Sequence, residues 1–594
     1  MKSDRQRKRN KGGAGAAVNA GSPKRAPAGG AAALSAGGLR GWYLAAGAAF
    51  ALLIVFAMYW PAVQGPFLFD DKYLPFTHPE YKELPLERWL IGVRPTLMLS
   101  FWLNYQLSGE SPLSYHVLNV LLHFLNGLWV FLIVRRILDW AGTDRPRREI
   151  LAAFAGCAFL FHPIQSEAVA YVASRSENLS VFFFYAALTV FLHRRSEAIG
   201  FGATLLVLAL FGAAVTSKEH TAVLPFLLVL TDYFFNPGFC WQGLRRNWRL
   251  YVPVAAAGAA GFAFILSKLA ESDTAGFRVE GLPWHLYFVT QCKVIWIYVR
   301  MFVFPVGQNV DHDYPMAASA GDPLGVAGMA ALAALTAAAW LQRRRWPVFS
   351  YGILAFLLLL APTSSFIPIK DALVERRLYL PMVGLLLAAA GLLRRWQVKP
   401  PVLAAALGVV LAAWTLFGFE RGRVWAGPIP LWQDAVAKTP ENWRANFQLA
   451  YAYFDHQMCS ESVAQYEKTA ALREPDYRLL VDWALAYDCA GRPDEALIKL
   501  KRAAGLEQTA HVHAMIGMMY GKQGKYAEAL AALETAEKFD NRFMMTYFYR
   551  GNVHASLNDH AAAARAYRRA LEIEPGFAPA ERALRRSEQF VGAR

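Results

Sequence analysis

Residues 42–60 read WYLAAGAAFALLIVFAMYW, an uncharged run that is almost entirely apolar. A helix needs about 20 such residues to cross a bilayer. Similar runs recur as far as residue 419 in a chain of 594 residues that is 55% hydrophobic and only 18% charged. This composition argues against an ordinary soluble multidomain protein. It predicts an all-α, polytopic membrane helix bundle of about 11 spans. The predicted spans lie near residues 42–60, 113–134, 150–162, 178–193, 201–216, 219–235, 250–267, 322–341, 347–361, 378–393 and 402–419.

The net charge of +16 has two interpretations. In a soluble protein it would suggest nucleic-acid binding. Here the basic residues cluster in short loops beside the apolar runs, which is the positive-inside arrangement of membrane proteins. We therefore expect a lipid bilayer as partner and no nucleic acid. Residues 1–40, which are basic and then rich in Ala, Gly and Pro, are predicted to form a disordered cytoplasmic tail.

The orientation depends on one ambiguous segment, 284–304. If it spans the membrane, the basic cluster Arg343–Arg345 moves to the outer side and the charge rule fails. If it lies at the interface or re-enters, the basic clusters stay cytoplasmic, and its aromatic residues favour that reading. The resulting odd number of spans predicts a cytoplasmic N-terminus and a C-terminal domain on the opposite side. The predicted outer loops are 61–112, 162–177, 268–321 and 362–377, together with the turn at 216–220.

A second architecture begins near residue 426, after a membrane domain predicted at 41–425. Small and large residues recur there in register, with a period of about 33–34 residues. The matching sets are Ala484, Tyr487, Ala496, Leu500 and Ala503; Gly517, Tyr520, Ala529, Leu533 and Ala536; and Gly551, His554, Ala563, Tyr567 and Ala570. A weaker first copy precedes them. The pattern predicts a tetratricopeptide-repeat solenoid over 426–594, with about four repeats and a capping helix at 577–590.

The repeats allow two roles, a groove for a partner or acceptor and a rigid spacer on the membrane domain. Because stacked repeats form a concave surface, the groove is the favoured interpretation. Cys459 and Cys489 fall near equivalent turns of adjacent repeats, so they can either form a disulfide in an oxidising compartment or remain free.

The predicted outer loops contain polar and charged residues close to the ends of the apolar segments. Such residues are costly near hydrocarbon and are often functional. Asp70 and Asp71 follow the first span directly, and Glu167 lies in the next outer loop. A carboxylate there can accept the proton of an incoming hydroxyl, although paired acids also cap helices and mark exposed turns. His162 can bind phosphate or orient an acid, but a histidine at a helix end is more often structural. The spacing of His162 and Glu167 does not predict a metal site.

Cations are also present on this predicted outer side, against the positive-inside rule. Lys218 and Glu219 lie in the turn at 216–220, and Arg376 and Arg377 lie in the loop that follows residue 361. A guanidinium matches a phosphate with paired donors, so an anion would explain the two arginines. The alternative is a salt bridge to Asp371 or Glu375.

At these residues the chain resembles the transmembrane and tetratricopeptide-repeat (TMTC) O-mannosyltransferases, bacterial relatives included, within the GT-C glycosyltransferase fold. The resemblance covers most of residues 60–594. It is carried by Phe69-Asp70-Asp71, Arg94-Pro95 with Asn104, Ser114 to Asn119, His123, His162-Pro163 through Val169, Arg175, Lys218-Glu219 and Glu375 through Pro381.

The resemblance implies transfer of a sugar from a polyprenyl-phosphate carrier to a protein or glycan hydroxyl, with inversion, on the non-cytoplasmic face of a bacterial inner membrane. Asp70 or Asp71 would be the base, with Asp71 slightly preferred, and Glu167 an accessory acid. Lys218, Arg376 and Arg377 would bind the carrier phosphate. Supporting roles would fall to Arg94, His162, Arg175, Glu219, Glu375 and Tyr379. No tightly bound cofactor is expected, and a divalent metal requirement stays open.

Two other functions remain open at this point. The chain could be a non-catalytic scaffold whose repeats assemble an envelope glycan or export complex. It could also be a polymerase or ligase of surface glycans. A transporter fits less well, because no charged residue lies deep inside a predicted span. The sugar, the acceptor, the carrier length and the oligomeric state are not determined by these residues.

Overall fold

The computed structural model describes residues 32–592, except 79–80, 82, 195, 270–275, 277–278 and 280. The chain divides into two compact units, Met1–Leu52 and Leu53–Arg594. The described part of the first unit is helical, and its apolar side chains Trp42, Tyr43 and Phe50 are exposed, as expected of a lipid-facing helix.

The predicted disordered tail lies mostly outside the described residues. Its last part is an exception, because the first helix, Ala32–Val63, begins inside the segment that was expected to be disordered.

The second unit is built from helices, and no strand occurs in the described residues. Each predicted span coincides with all or part of a helix. Proline opens many of these helices, where its fixed φ and missing N–H are tolerated. The helices before the repeats are Leu86–Trp89, Pro95–Ser108, Pro112–Trp140, Arg145–Phe161, Ser166–Ala170, Arg175–Leu192, Phe201–Val215, Leu224–Phe235, Gln242–Arg246, Trp248–Leu269, Trp284–Val303, Pro323–Leu341, Pro347–Leu360, Met382–Leu393 and Pro400–Val424.

The predicted count of about 11 spans is not confirmed. Five described helices are long and apolar enough to cross a membrane, or up to 6 if the bent pair Arg145–Phe161 and Pro163–Ala170 is one span. The ambiguous segment forms one of the five, the continuous helix Trp284–Val303. Other predicted spans, such as Phe201–Val215 and Met382–Leu393, are shorter apolar helices.

Glycines allow two helices of the membrane domain to pack closely. A Cβ added at Gly352 would lie 2.4 Å from the backbone nitrogen of Ala388, and one at Gly384 would lie 2.5 Å from that of Phe356. Small residues allow two apolar helices to pack backbone against backbone. The helices Pro347–Leu360 and Met382–Leu393 are therefore held together along these residues, and they support the loop that carries Arg376.

Replacing Gly352 with alanine should destabilise the protein by about 1–3 kcal/mol, because the backbone of the partner helix must move to admit the methyl group. The measurement is thermal or denaturant unfolding in detergent. Gly408→Ala is the matched control, since a Cβ there meets nothing within 4 Å in the helix Pro400–Val424. Equal stability of the two variants would contradict the packing argument.

The repeats follow the helix Pro428–Lys438. Four helix pairs occupy the predicted positions and a last helix follows them: Trp443–Asp455 with Cys459–Leu472, Tyr477–Cys489 with Pro493–Leu506, Ala510–Lys522 with Tyr526–Phe539, Met544–Ser556 with His560–Ile573, and then Ala578–Gly592. Cβ atoms added at Gly517 and Gly551 would collide with Leu533 and Tyr567. The predicted small and large positions of each pair thus contact one another.

The sulfurs of Cys459 and Cys489 are bonded, with Cα atoms 5.5 Å apart. Of the two alternatives open at the sequence level, the disulfide is the one present in the structure. It joins the first and second helix pairs.

Candidate active site between the outer loops

The two acids after the first span have different surroundings. Both lie in a short 3₁₀ helix, Phe69–Tyr73. Asp71 is fully buried, and its carboxylate accepts hydrogen bonds from the N–H of Leu68 at 3.1 Å and of Ala173 at 2.7 Å. Asp70 is exposed. Asp71 therefore fixes the first outer loop to the second, whereas the Asp70 carboxylate is accessible.

Phe69 places Asp70 by an unusual backbone conformation. Its φ is 46°, in the left-handed region that non-glycine residues rarely adopt. The Phe69 ring packs against Trp432 at 4.7 Å and Tyr171 at 5.7 Å between ring centroids, and the N–H of Asp70 donates to the Tyr171 hydroxyl at 3.1 Å. Strain of this kind is often found at functional sites.

Burial raises the pKa of Asp71 to about 7, against the lowering effect of its backbone hydrogen bonds, and the charge of Asp70 raises it further. A carboxyl whose pKa is raised on folding stabilises the fold below its unfolded pKa. That contribution disappears as the pH rises through the folded pKa.

The pH dependence gives a test of this burial. The stability of the wild type should fall between about pH 4 and pH 7 by a contribution of at most about 4 kcal/mol from Asp71, and Asp71→Asn should remove that slope. Denaturant unfolding of both proteins across this range measures it. An unchanged difference between the two curves over the whole range would show that Asp71 titrates normally.

Glu167 is the buried partner of Arg376. Glu167 is 3% exposed, and its carboxylate accepts hydrogen bonds from both the backbone N–H and the guanidinium of Arg376. The Arg376 side chain is 36% exposed. The predicted accessory acid thus holds the predicted phosphate ligand in place.

The alternative pairing of the two arginines with Asp371 or Glu375 is wrong. Glu375 is instead bound to the N–H of Asn309 at 2.6 Å and to His312 at 2.9 Å. The Arg377 guanidinium donates to the carbonyl oxygens of Asp371 and Ala372, not to a carboxylate.

Two more ion pairs come from the turn at 216–220. Lys218 pairs with Glu177, which His220 also approaches at 3.3 Å. Glu219 pairs with Arg94 through two hydrogen bonds of 2.9 Å.

The cations of the three ion pairs, Arg94, Lys218 and Arg376, interact with one another. Burial lowers the pKa of Lys218, Glu177 raises it, and the charges of Arg94 and Arg376 lower it further. Three loops thus bring Arg94, Lys218 and Arg376 within electrostatic range of one another. Lys218 and Arg376 are two of the residues that the resemblance implied as phosphate ligands.

The remaining predicted residues form the interior of this region. His162 is fully buried, donates to the carbonyl oxygen of Phe302 at 3.0 Å and accepts from the N–H of Ile164 at 3.2 Å. Arg175 is also fully buried and donates to Asn119, Asn104 and the carbonyl oxygen of Tyr115. Tyr379 is buried and hydrogen-bonds Asn126 and Asn178. All three therefore support the loops from within rather than face a substrate.

A cavity of about 390 Å³ opens where the outer loops meet the first repeat helices. Phe69 and Arg376 line it from the membrane domain, Trp432 lines it from the helix that precedes the repeats, and Trp443 and Arg444 line it from the first repeat helix. Arg444 joins the two sides, because its guanidinium pairs with Asp311 at 2.7 Å and with Asp371 at 3.2 Å.

Sequence reasoning did not assign Glu177, Trp432, Trp443 or the loop around His312 to the site. Glu177 carried a signal, since it is an acid at the first turn of an apolar helix. The two tryptophans carried none, because their position beside Phe69 depends on how the repeats dock. Among the described residues, no group of three His, Cys, Asp or Glu side chains is arranged to hold a metal ion.

Family models and solved structures match parts of the chain. Tetratricopeptide-repeat family models match residues 510–543 and 545–577. Solved structures similar to the chain include YrrB, a TPR protein with an unusual peptide-binding site, at 18% identity and a TM-score of 0.24, covering 30% of this chain and 88% of that one. Another is a thermophilic TPR protein of Thermus thermophilus, at 19% identity and a TM-score of 0.25, covering 31% and 96%.

Curated relatives of the chain are protein O-mannosyl-transferases, and the match to the first of them is longer than the repeat region. Protein O-mannosyl-transferase F38B6.6 of Caenorhabditis elegans is 26% identical over 404 residues, 65% of this chain and 54% of that protein. TMTC3 of Mus musculus is 29% identical over 204 residues, 31% and 21% of the two chains. Tmtc1 of Drosophila melanogaster is 38% identical over 136 residues, 23% and 15%. The match spans about half the length of the first of these relatives and a smaller share of the other two.

Proposed function

We propose that this chain, whose curated homologues are TMTC-family protein O-mannosyl-transferases, is a membrane glycosyltransferase that moves a sugar from a polyprenyl-phosphate carrier to a hydroxyl acceptor. One observation carries the proposal: the exposed carboxylate of Asp70 and the guanidinium of Arg376 both act on the Tyr171 hydroxyl, and Arg376 lies within electrostatic range of two further cations, Arg94 and Lys218. Such a site offers a base for the acceptor and positive charge for the leaving phosphate.

Asp70 fits the base better than Asp71. The Asp71 carboxylate is buried and occupied by two backbone N–H groups, and its raised pKa leaves it partly protonated near neutral pH. The Asp70 side chain is exposed, and its carboxylate interacts with the Tyr171 hydroxyl rather than with backbone N–H groups. It takes the proton of the acceptor hydroxyl while that oxygen bonds to the anomeric carbon, and the bond from that carbon to the carrier oxygen breaks. A single displacement of this kind inverts the anomeric centre.

The electron pair leaves on the carrier phosphate, which the cations stabilise. Arg376 is the most suitable ligand, since it is partly exposed and lines the cavity. Lys218 and Arg94 add charge from the neighbouring turn and loop. Arg377 is committed to backbone carbonyl groups, so its role is to shape the loop that presents Arg376.

The acceptor would enter through the cavity beside Phe69. Its wall includes Trp432 from the helix before the repeats and Trp443 from the first repeat helix, which gives an apolar surface for a peptide or glycan. In this proposal the repeats bind the acceptor and do not act only as a rigid spacer on the membrane domain.

Replacing Trp443 with alanine tests this acceptor path. The KM for acceptor should rise about tenfold, from the loss of roughly 1–2 kcal/mol of contact, while kcat at saturating acceptor stays the same. Tyr520→Ala, which changes an aromatic residue of a later repeat away from the cavity, is the control. A fall in kcat with unchanged KM would place Trp443 outside the acceptor path.

We place the site on the non-cytoplasmic side of a multi-pass membrane protein, periplasmic if the membrane is a bacterial inner membrane. The disulfide between Cys459 and Cys489 supports this side, because disulfides persist in oxidising compartments. Labelling that placed the repeats in the cytoplasm would contradict it.

The function is tested by reconstituting the purified protein with labelled polyprenyl-phosphate mannose, glucose, galactose, N-acetylglucosamine and aminoarabinose. We expect one donor to lose its sugar to an acceptor fraction in a reaction that requires Asp70. No transfer from any donor, with intact binding to envelope proteins, would favour the scaffold alternative.

A further inference from the structure

A second cluster of cations lies at the other ends of two helices that lead to the active site. The helix Arg145–Phe161 runs into the loop of Glu167, and the helix Met382–Leu393 follows the loop of Arg376. Arg147 lies at the start of the first helix and Arg394 just past the end of the second. The cluster therefore lies at the helix ends remote from the loops of Glu167 and Arg376, on the side that the loop charges predict to be cytoplasmic.

These cations surround a cavity of about 640 Å³. We call it the basic pocket, and its lining is Arg147, Arg394, Arg395, Gln397, Val398 and Lys399. No acidic residue lines it. Within the described part of the chain, none of its four cations forms an ion pair, whereas Arg94, Lys218 and Arg376 on the other face all do.

The arginines of the basic pocket are held by carbonyl oxygens. Arg147 donates to the carbonyl oxygens of Arg394 at 3.0 Å and of Val398 at 2.7 Å, and Arg394 donates to that of Ala141 at 2.9 Å. Arg395 is stacked over Trp346 at 4.1 Å. The positive groups are thus fixed in place without being neutralised.

Two charged donors in this cluster lack acceptors. Nε of Arg147 and Nη1 of Arg394 are buried and have no hydrogen-bond partner among the described residues. Buried donors of charged groups are costly when unpaired. Burial lowers the pKa of Arg394, and the charge of Arg395 lowers it further.

We propose that the basic pocket binds a phosphate group, and that its source is the headgroup of an anionic phospholipid of the leaflet opposite to the active site. A phosphate accepts several hydrogen bonds from guanidinium groups and neutralises them. The position at the ends of apolar helices is where basic pockets meet lipid headgroups. No step of sugar transfer is needed for this binding.

The test is native mass spectrometry of the purified full chain in detergent, titrated separately with phosphatidylglycerol, phosphatidylcholine and inorganic phosphate. We expect saturable binding of phosphatidylglycerol. The variant Arg395→Gln/Lys399→Gln should bind it on the order of tenfold more weakly. Both residues are exposed, so the fold should survive, and melting without lipid checks this.

The matched control is Arg245→Gln/Arg249→Gln, which removes two exposed cations elsewhere from the predicted cytoplasmic loops. Retained binding by the control, with loss in the pocket variant, supports the site. Binding of inorganic phosphate at the same affinity would keep the phosphate site and assign it to a soluble ligand. Equal losses in both variants, or equal binding of phosphatidylcholine, would overturn the proposal.

Discussion

Asp70→Asn should lower kcat for sugar transfer by about 10²–10⁴-fold, because asparagine cannot accept the proton of the acceptor hydroxyl. The fold should persist, since the Asp70 side chain is exposed and its backbone N–H still reaches Tyr171. Donor binding should change little, because the cations that hold the phosphate are intact. The measurements are transfer rate, donor affinity and melting temperature of the same preparation.

Two other variants test whether the loss of activity is specific to Asp70. Glu87→Gln neutralises a further exposed acid of the same outer loop and should keep full activity. Asp71→Asn should act first on stability, since the Asp71 carboxylate joins two loops. Normal activity of Asp70→Asn together with a folded but inactive Asp71→Asn would assign the base to Asp71. Normal activity of both would favour a site without a carboxylate base.

The class of fold was predictable because its signals are local. Long apolar runs and a repeat period can each be found by following the chain. Cys459 and Cys489 could be placed at neighbouring turns for the same reason, and they are bonded. The number of spans was less predictable, because the helices Phe201–Val215 and Met382–Leu393 are shorter than a bilayer requires and depend on their neighbours.

The candidate site was predictable only as a set of residues. The loops of Asp70, Glu167, Lys218 and Arg376 do lie together, as their common outer side suggested. Which acid faces solvent could not be predicted, because Asp70 and Asp71 are adjacent and differ only in the backbone turn at Phe69. The ion pair between Arg376 and Glu167 could not be predicted either, because the two residues are 209 positions apart in the chain.

Arg376→Gln should both stop transfer and destabilise the protein by about 3–5 kcal/mol, because the buried Glu167 carboxylate loses its counter-ion. Glu167→Gln alone should lower the free energy of unfolding by less, because the arginine that it leaves without a counter-ion is partly exposed. The double variant Glu167→Gln/Arg376→Gln removes the uncompensated charge and should recover much of the stability. The two effects of Arg376 can therefore be separated by denaturant unfolding and transfer assays on the same three proteins.

If Arg376 binds the carrier phosphate, the double variant is stable and remains inactive, and its affinity for donor is weakened. If Arg376 is only the counter-ion of Glu167, activity returns together with stability. The second outcome would leave Lys218 and Arg94 as the phosphate ligands. The decisive comparison is donor affinity in the double variant against that in Asp70→Asn, because loss of the base should leave this affinity unchanged while loss of the phosphate ligand should not.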